Sequence, residues 1–277
     1  MAKGIGLIGN FKGKVGNMVG YKLSDSNTGN TQGIRVYQPI VKNPKTSAQA
    51  EQRAKLAPIN ATYRALKMII DRGNEGLPYG NKSRLAWLKQ AFKAQHMPWV
   101  VKGATNPFPV GCQLTKGSLS SLQYSVASDQ IDITCEGVTA ESTFATIGAL
   151  STALKAAYPT LKDGDQITIV QGGGIGNNID FVVFSFLIDA TSTVAVTGFS
   201  GVADTIVYQG SLGGSAGAII VSREGANGEH LRSTEALVIN SAELSSAPYD
   251  AESKTAAIES YMSSASANAD WAEESIQ

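Results

Sequence analysis

The chain has 277 residues, 43% hydrophobic and 17% charged, enough to bury a core in one or two domains and unlike a disordered or fibrous composition. No apolar run approaches the roughly 20 residues of a membrane span, and MAKGIGLIGNFKGK has too short an apolar segment, and no small-residue cleavage site, for a signal peptide; a soluble chain with no membrane span is expected. Lys plus Arg and Asp plus Glu balance at 23 each, yet residues 1–105 hold 17 basic side chains against Asp25, Glu51, Asp71 and Glu75, net +13, leaving −13 for the rest. That asymmetry points to an anionic partner for the first part, either nucleic acid or the acidic part of another copy.

In chain order, glycines at 4, 6, 9, 13, 16 and 20 argue against a helix at the N-terminus. Residues 15–23 (VGNMVGYKL) and 33–40 (GIRVYQPI) read as two strands joined by the polar SDSNTGNTQ. Two strands alone are marginal, so this arm is expected to dock on another subunit or on the C-terminal domain. After Asn43-Pro44, Thr46 and Gln49 form a capping-box pattern that opens a helical stretch to about Asp71. Its apolar stripe is Leu56, Ile59, Tyr63, Leu66 and Ile70, and Pro58 within it predicts a kink or two abutting helices. Residues 73–80 read as a loop. Asn81 is placed to cap a second helix over 82–96, with Leu85, Leu88 and Phe92 on one face. Asn106-Pro107-Phe108-Pro109 ends the helical region, and a domain boundary is set there.

Beyond it the pattern turns to β. LQYSVAS, QIDITCEG and DQITIVQ alternate, NIDFVVFSFLIDA is a longer apolar strand, and TVAVTGF, DTIVYQG, SAGAIIVSRE and EALVINSAE follow. Thr139 is read as the cap of a helix over 140–157 carrying Phe144, Ile147, Leu150 and Leu154 on one stripe, and a last helix fits 251–263. The expected fold class is α+β: a basic Gly-rich arm with a β-hairpin (1–45), a basic helical hairpin (46–105), a mostly antiparallel, sandwich-like acidic β domain with an inserted helix (106–265), and a tail (266–277).

Motifs for catalysis are weak. His96 and His230 are the two histidines. The first reads as a helix-terminal surface residue, and the second lies in the turn EGANGEHLRS, where a hydrolase site is the least favoured of three functional readings. The run 172–176 (GGGIG) leads toward a strand where a dinucleotide fingerprint needs a helix, and is read as a hairpin loop. Residues 9–15 lack the first glycine and the Ser or Thr of a phosphate loop. Asp163 and Asp165 sit in a turn signal. Cys112 and Cys135 have neither disulfide nor metal spacing and read as small buried residues. No cofactor or metal is expected. Contacts to nucleic acid or to an acidic partner are assigned to Lys12, Lys14, Lys22, Arg35, Lys42, Lys45, Arg53, Arg64, Lys82, Arg84, Lys89 and Lys93. Tyr21, Tyr37 and Trp87 are the rings offered for stacking on unpaired bases.

The stretch GNFKGKVGNMVGYK, followed by NPKTSAQAEQRAKLAPINATYRAL and YGNKSRLAWL, resembles a family of proteins from Bacteroidota and their phages. AGAIIVSREGANGEHLRSTEALVINS and the Ser/Ala-rich tail resemble structural proteins of small single-stranded DNA phages of the microvirus type. The resemblance implies a non-enzymatic virion or assembly role (minor capsid, spike, fibre or tube subunit) in a particle made in the bacterial cytoplasm, and carries over no catalytic residue. Partners are then other copies of the chain and other virion proteins. The alternative is a non-specific binder of single-stranded DNA acting in genome packaging.

Overall fold

The computed structural model describes residues 13–25, 29–37, 46–104, 108–127, 129–139, 143–175, 178–210, 216–226, 228–240, 244 and 248–263. The chain divides into two compact units, Met1–Lys45 and Thr46–Gln277.

In the first unit, β1 (Gly13–Val15), β2 (Met18–Asp25) and β3 (Gly29–Val36) form an antiparallel sheet with β2 central. Gly16 turns β1 into β2 with φ +57°, the left-handed conformation that a two-residue hairpin turn needs at its first central position. The β2–β3 ladder runs from Met18↔Val36 to Asp25↔Gly29. Both strands therefore extend into the polar segment expected to be loop, because backbone pairing continues where side-chain alternation stops.

The second unit is layered. α1 (Ser47–Ala65) starts at Thr46, whose Oγ1 accepts from Gln49 N at 3.3 Å. Pro58 lies buried within α1 without ending it, and the break falls at Leu66 (φ −105°, ψ 22°), before α2 (Lys67–Ile70). The ring forfeits one backbone bond, while burial on the row Ala50, Ala54, Pro58 retains its packing. α3 (Asn81–Ala91) is shorter than expected, and Gly80 at φ +84°, with no side-chain cap, takes the position assigned to Asn81.

Next come β4 (Gln113–Thr115), β5 (Tyr124–Val126), β6 (Ile131–Thr134) and α4 (Ile147–Ala157). The paired β7 (Gln166–Ile175) and β8 (Asn178–Leu187), then β9 (Phe199–Val202) and β10 (Thr205–Tyr208), follow. The chain continues through β11 (Ala216–Glu224), β12 (His230–Arg232), β13 (Glu235–Ala236), β14 (Val238–Ile239) and α5 (Ala251–Ser263). One sheet has the order β5-β6-β10-β9; a second has β12-β11-β7-β8 with β14 also on β11; β13 pairs with β4. Every named strand pair is antiparallel. The fold is thus a mixed α+β arrangement of open antiparallel sheets and helices.

The β7–β11 pair is buried on both faces. Its register sets Ile169 opposite Ile219, Ile167 opposite Val221 and Val170 opposite Ala218, and since successive side chains alternate faces, the first two pairs share one face and the third lies on the other. On the first face Ile167, Ile169, Ile219 and Val221 meet Ile131, Ile133, Phe199 and Ile206 of the four-stranded sheet, with Leu150 and Leu154 of α4. On the second, Val170, Ala216, Ala218 and Ile220 meet Ile59, Leu66, Ile70 and Trp87 of the helices. Sequence reading separates 46–105 from 106–265, whereas here both stretches contribute to this second core. No helix of the described residues is long and apolar enough to cross a membrane.

Two local expectations need correction. Gly172–Gly174 are strand residues of β7, paired with Phe181–Ile179 of β8, not a hairpin loop. A Cβ on Gly172 would meet the Phe181 ring, so the glycine there admits an aromatic cross-strand neighbour. α4 begins at Ile147 after Thr146, whose Oγ1 accepts from Ala149 N at 3.3 Å, not after Thr139. Phe144 is buried all the same, from the segment before the helix.

Candidate functional site

The assigned basic residues do not form one site. In the N-terminal sheet, Lys14 and Arg35 are exposed, Lys14 with its Nζ 3.7 Å from the centre of the Tyr37 ring. Lys22 lies on β2, and Lys12, Lys42 and Lys45 fall outside the described residues. In the second unit Arg64 is exposed at the end of α1, Arg53 is half-buried, and Arg84 is half-buried with its guanidinium 4.6 Å from the Tyr63 ring centre. Lys82, Lys89 and Lys93 are brought together, since with Leu85 and Phe92 they fall at helical spacing along the outward side of α3 and its C-cap.

Of the stripe expected on α3, Leu88 packs against the second core but Leu85 and Phe92 face outward. Leu85 is 49% and Phe92 36% exposed, whereas Trp87, offered for base stacking, is 1% exposed and packs 6.0 Å from the Tyr63 ring. The buried row is Ser83, Trp87 and Ala91, at spacings of four. Ser83 is in the core because its Oγ donates to Ile70 O (2.8 Å) and accepts from Asn74 Nδ2 (3.1 Å), a long-range compensation that single-sequence periodicity does not reveal. Tyr37 is 36% exposed and lies against Lys14; Tyr21 is a β2 residue.

Neither histidine has a catalytic setting among the described residues. His96 exchanges two backbone hydrogen bonds with Val110 in an antiparallel bridge instead of ending a helix. His230 is exposed on β12, its ring 5.5 Å from that of Tyr79. Among the described residues no three His, Cys, Asp or Glu side chains are grouped to hold a metal. Cys112 and Cys135 are free and buried, and burial pushes their thiols up to about 12 and about 11.

Three polar clusters escaped the sequence reading. Asp165, 1% exposed, takes a two-pronged bond from Arg223, Nε to Oδ1 at 2.6 Å and Nη2 to Oδ2 at 2.7 Å, and accepts from Lys162 N. The side chain expected to shape a turn is thus half of a sequestered ion pair that ties the 162–165 turn to β11. Glu235 is 6% exposed; burial raises its pKa, and the hydroxyls of Ser121, Ser233 and Tyr124 offset part of the rise. Its Oε1 has no hydrogen-bond partner, and Tyr124 Oη stands 3.4 Å from Oε2.

The third cluster joins Arg72, Tyr79, His230 and Arg232. Arg72, Tyr79 and His230 rim an open cavity of about 330 Å³, also lined by Asn74 and Pro78, and Arg232 lies beyond His230 on β12, within electrostatic reach of Arg72 and Tyr79. Glu75 beside it accepts from Ser118 N (2.9 Å), Ser118 Oγ (2.9 Å) and the backbone amide of Arg232 (3.3 Å).

Of the strands that end the open sheets of the described residues, β3 and β8 are the longest. β3 is an edge of the N-terminal sheet, with Val36 71% exposed at its end. β8 is an edge of the five-stranded sheet, ten residues long, with Val183 47% and Leu187 57% exposed. Ile188 N donates to Asp165 O on the β7 side, so by antiparallel alternation the amides of Val183, Ser185 and Leu187 point outward. Comparison with protein families, with curated proteins and with solved structures returns no match to this chain.

Proposed function

We propose that the chain is a non-enzymatic structural or assembly subunit of a phage virion, joined to other copies of itself and to other virion proteins. The observation that carries this reading is the pair of open edges, β3 and β8. Long uncovered edges with apolar side chains invite strand addition by another chain, and natural proteins that remain monomeric usually blunt them. The occupant we assign is a second copy. The two compact units differ in charge: residues 1–45 hold seven Lys and Arg against Asp25, net +6, and residues 46–277 hold 16 against 22, net −6. A basic unit of one copy is complementary to the acidic unit of another, and such head-to-tail contacts generate rings or filaments. A sheet of three strands within 45 residues also has little core of its own and gains from docking. The resemblance of the N-terminal motifs to proteins of Bacteroidota and their phages, and of the C-terminal motifs to structural proteins of small single-stranded DNA phages, supports the same role.

Sedimentation of nuclease-treated protein over a hundredfold range of concentration tests the reading. Species larger than a monomer, growing with concentration and without DNA, are expected; a monomer throughout overturns it. The outward lysines of α3, flanked by Leu85 and Phe92, favour the second reading, a sequence-tolerant single-stranded DNA binder, whose mark is a steep loss of affinity with salt.

A further inference from the structure

Arg232 is the one basic side chain among the described residues with a buried polar atom that finds no hydrogen-bond partner. A guanidinium stays charged at any working pH, yet the Nε of Arg232 is buried with no hydrogen-bond partner. Burial chiefly, and the like charge of Arg72, push its pKa below the usual arginine range, with Tyr79 acting the other way. Neither Arg72 nor Arg232 joins any ion pair among the described residues. Glu75 bonds the backbone of Arg232 and not its guanidinium. The carboxylate of Glu229, which also lines the cavity, lies against Gly225. Two guanidiniums within electrostatic reach of each other, one of them with a buried Nε that no hydrogen bond satisfies, favour an anion beside them.

The surroundings narrow the anion. His230 and Arg232 alternate with Leu231 along β12 and so project from the same face. The Tyr79 ring, 50% exposed, stands 5.5 Å from the His230 ring, and the Arg72 guanidinium stands 5.5 Å from the centre of the Tyr79 ring. An exposed aromatic pair beside a cationic centre offers a planar group a stacking surface next to its charge. The cavity of about 330 Å³ falls at the small end of the roughly 300–1,000 Å³ usual for small-molecule sites.

We infer that Arg72, Arg232, Tyr79 and His230 form a nucleotide site, the two guanidiniums holding a phosphate and the Tyr79–His230 pair stacking on the attached base. The ligand is one nucleotide unit, either a free mononucleotide or a unit of a single strand. The site stands on its own geometry and holds or fails independently of self-assembly.

Titration of the full chain with inorganic phosphate, thymidine monophosphate and a ten-residue thymidine oligonucleotide, followed by calorimetry and by the His230 ring resonances, tests it. Thymidine monophosphate is expected to bind at least about tenfold tighter than phosphate, the increment of one stacked base, and to move the His230 signals. Arg72→Gln and Tyr79→Leu, both at exposed positions, each weaken it about tenfold without loss of the folded circular dichroism spectrum; Arg232→Gln does the same if that variant folds. An oligonucleotide that binds no tighter than the mononucleotide marks a free nucleotide as the ligand, and a much tighter one marks a strand. Absence of saturable binding by either nucleotide, equal affinity for phosphate and nucleotide, or indifference to both exposed substitutions overturns the inference.

Discussion

The Asp165–Arg223 pair shows what a buried charge requires. Asp165 is almost wholly enclosed and Arg223 is 21% exposed at its side chain, so removing the acid leaves a partly desolvated guanidinium whose remaining bond runs from Nη2 to Thr160 O. Asp165→Ala is expected to cost about 3 kcal/mol in urea unfolding, whereas Asp163→Ala, which breaks the more exposed pair with Lys155, costs under about 1 kcal/mol. Glu235 behaves in the opposite sense. Burial raises its pKa above the ordinary 4.5, so the folded state keeps this proton to higher pH than the unfolded chain. Its contribution is full below the unfolded value, declines as pH rises through the folded one, and then levels off. Glu235→Gln removes that decline and is expected to be more stable than the wild type at pH 8 by about 1–2 kcal/mol, with a smaller difference at pH 4.5; an unchanged difference between the two pH values contradicts the assignment. At this scale the sequence revealed little. Cysteine burial was legible from residue type, but Asp165, Glu235 and Arg232 find their surroundings 58, 111 and 157 residues away, beyond any local pattern.

Among the elements, strands and helices were legible where side-chain period and burial agree. α5 spans the expected residues, Thr46 caps α1 as its capping box indicates, and β7, β8, β10 and β11 fall on the alternating or apolar runs. Boundaries failed where tertiary contacts override local signals. The glycines of β7 are tolerated because β8 pairs across them, and α3 turns Trp87 inward because a hydrogen-bonded serine can share the core with it. Trp87→Ala is expected to cost about 3–5 kcal/mol, the range for emptying an aromatic core site, while Leu85→Ala costs under about 1 kcal/mol at its exposed position. The open edge of β8 makes a separate claim about association. Val183→Lys, at a half-exposed site, is expected to leave the melting temperature within a few degrees and to weaken self-association, as lysines on natural edge strands do; unchanged association moves the contact elsewhere.

For the whole molecule, charge was the most informative property of the sequence, but its change of sign near residue 105 does not fall on the boundary of the compact units: residues 1–45 carry +6 and the remainder −6, within which residues 46–105 are themselves basic. The layered core was less legible: a single sequence places strands but does not say that the helices of 46–105 cover one face of the same sheet whose other face closes the sandwich. Of the two partners proposed for the basic residues, nucleic acid and a second copy, each would be drawn by charge, and what separates the proposals is whether assembly needs DNA. Light scattering with negative-stain imaging of nuclease-treated protein, at about 0.05 and 1 M salt, with and without single-stranded DNA, decides between them. The account predicts rings, tubes or closed particles without DNA at low salt, shrinking at high salt as the screening length falls to about 3 Å. A monomer at both salts that grows only when DNA is added would contradict it.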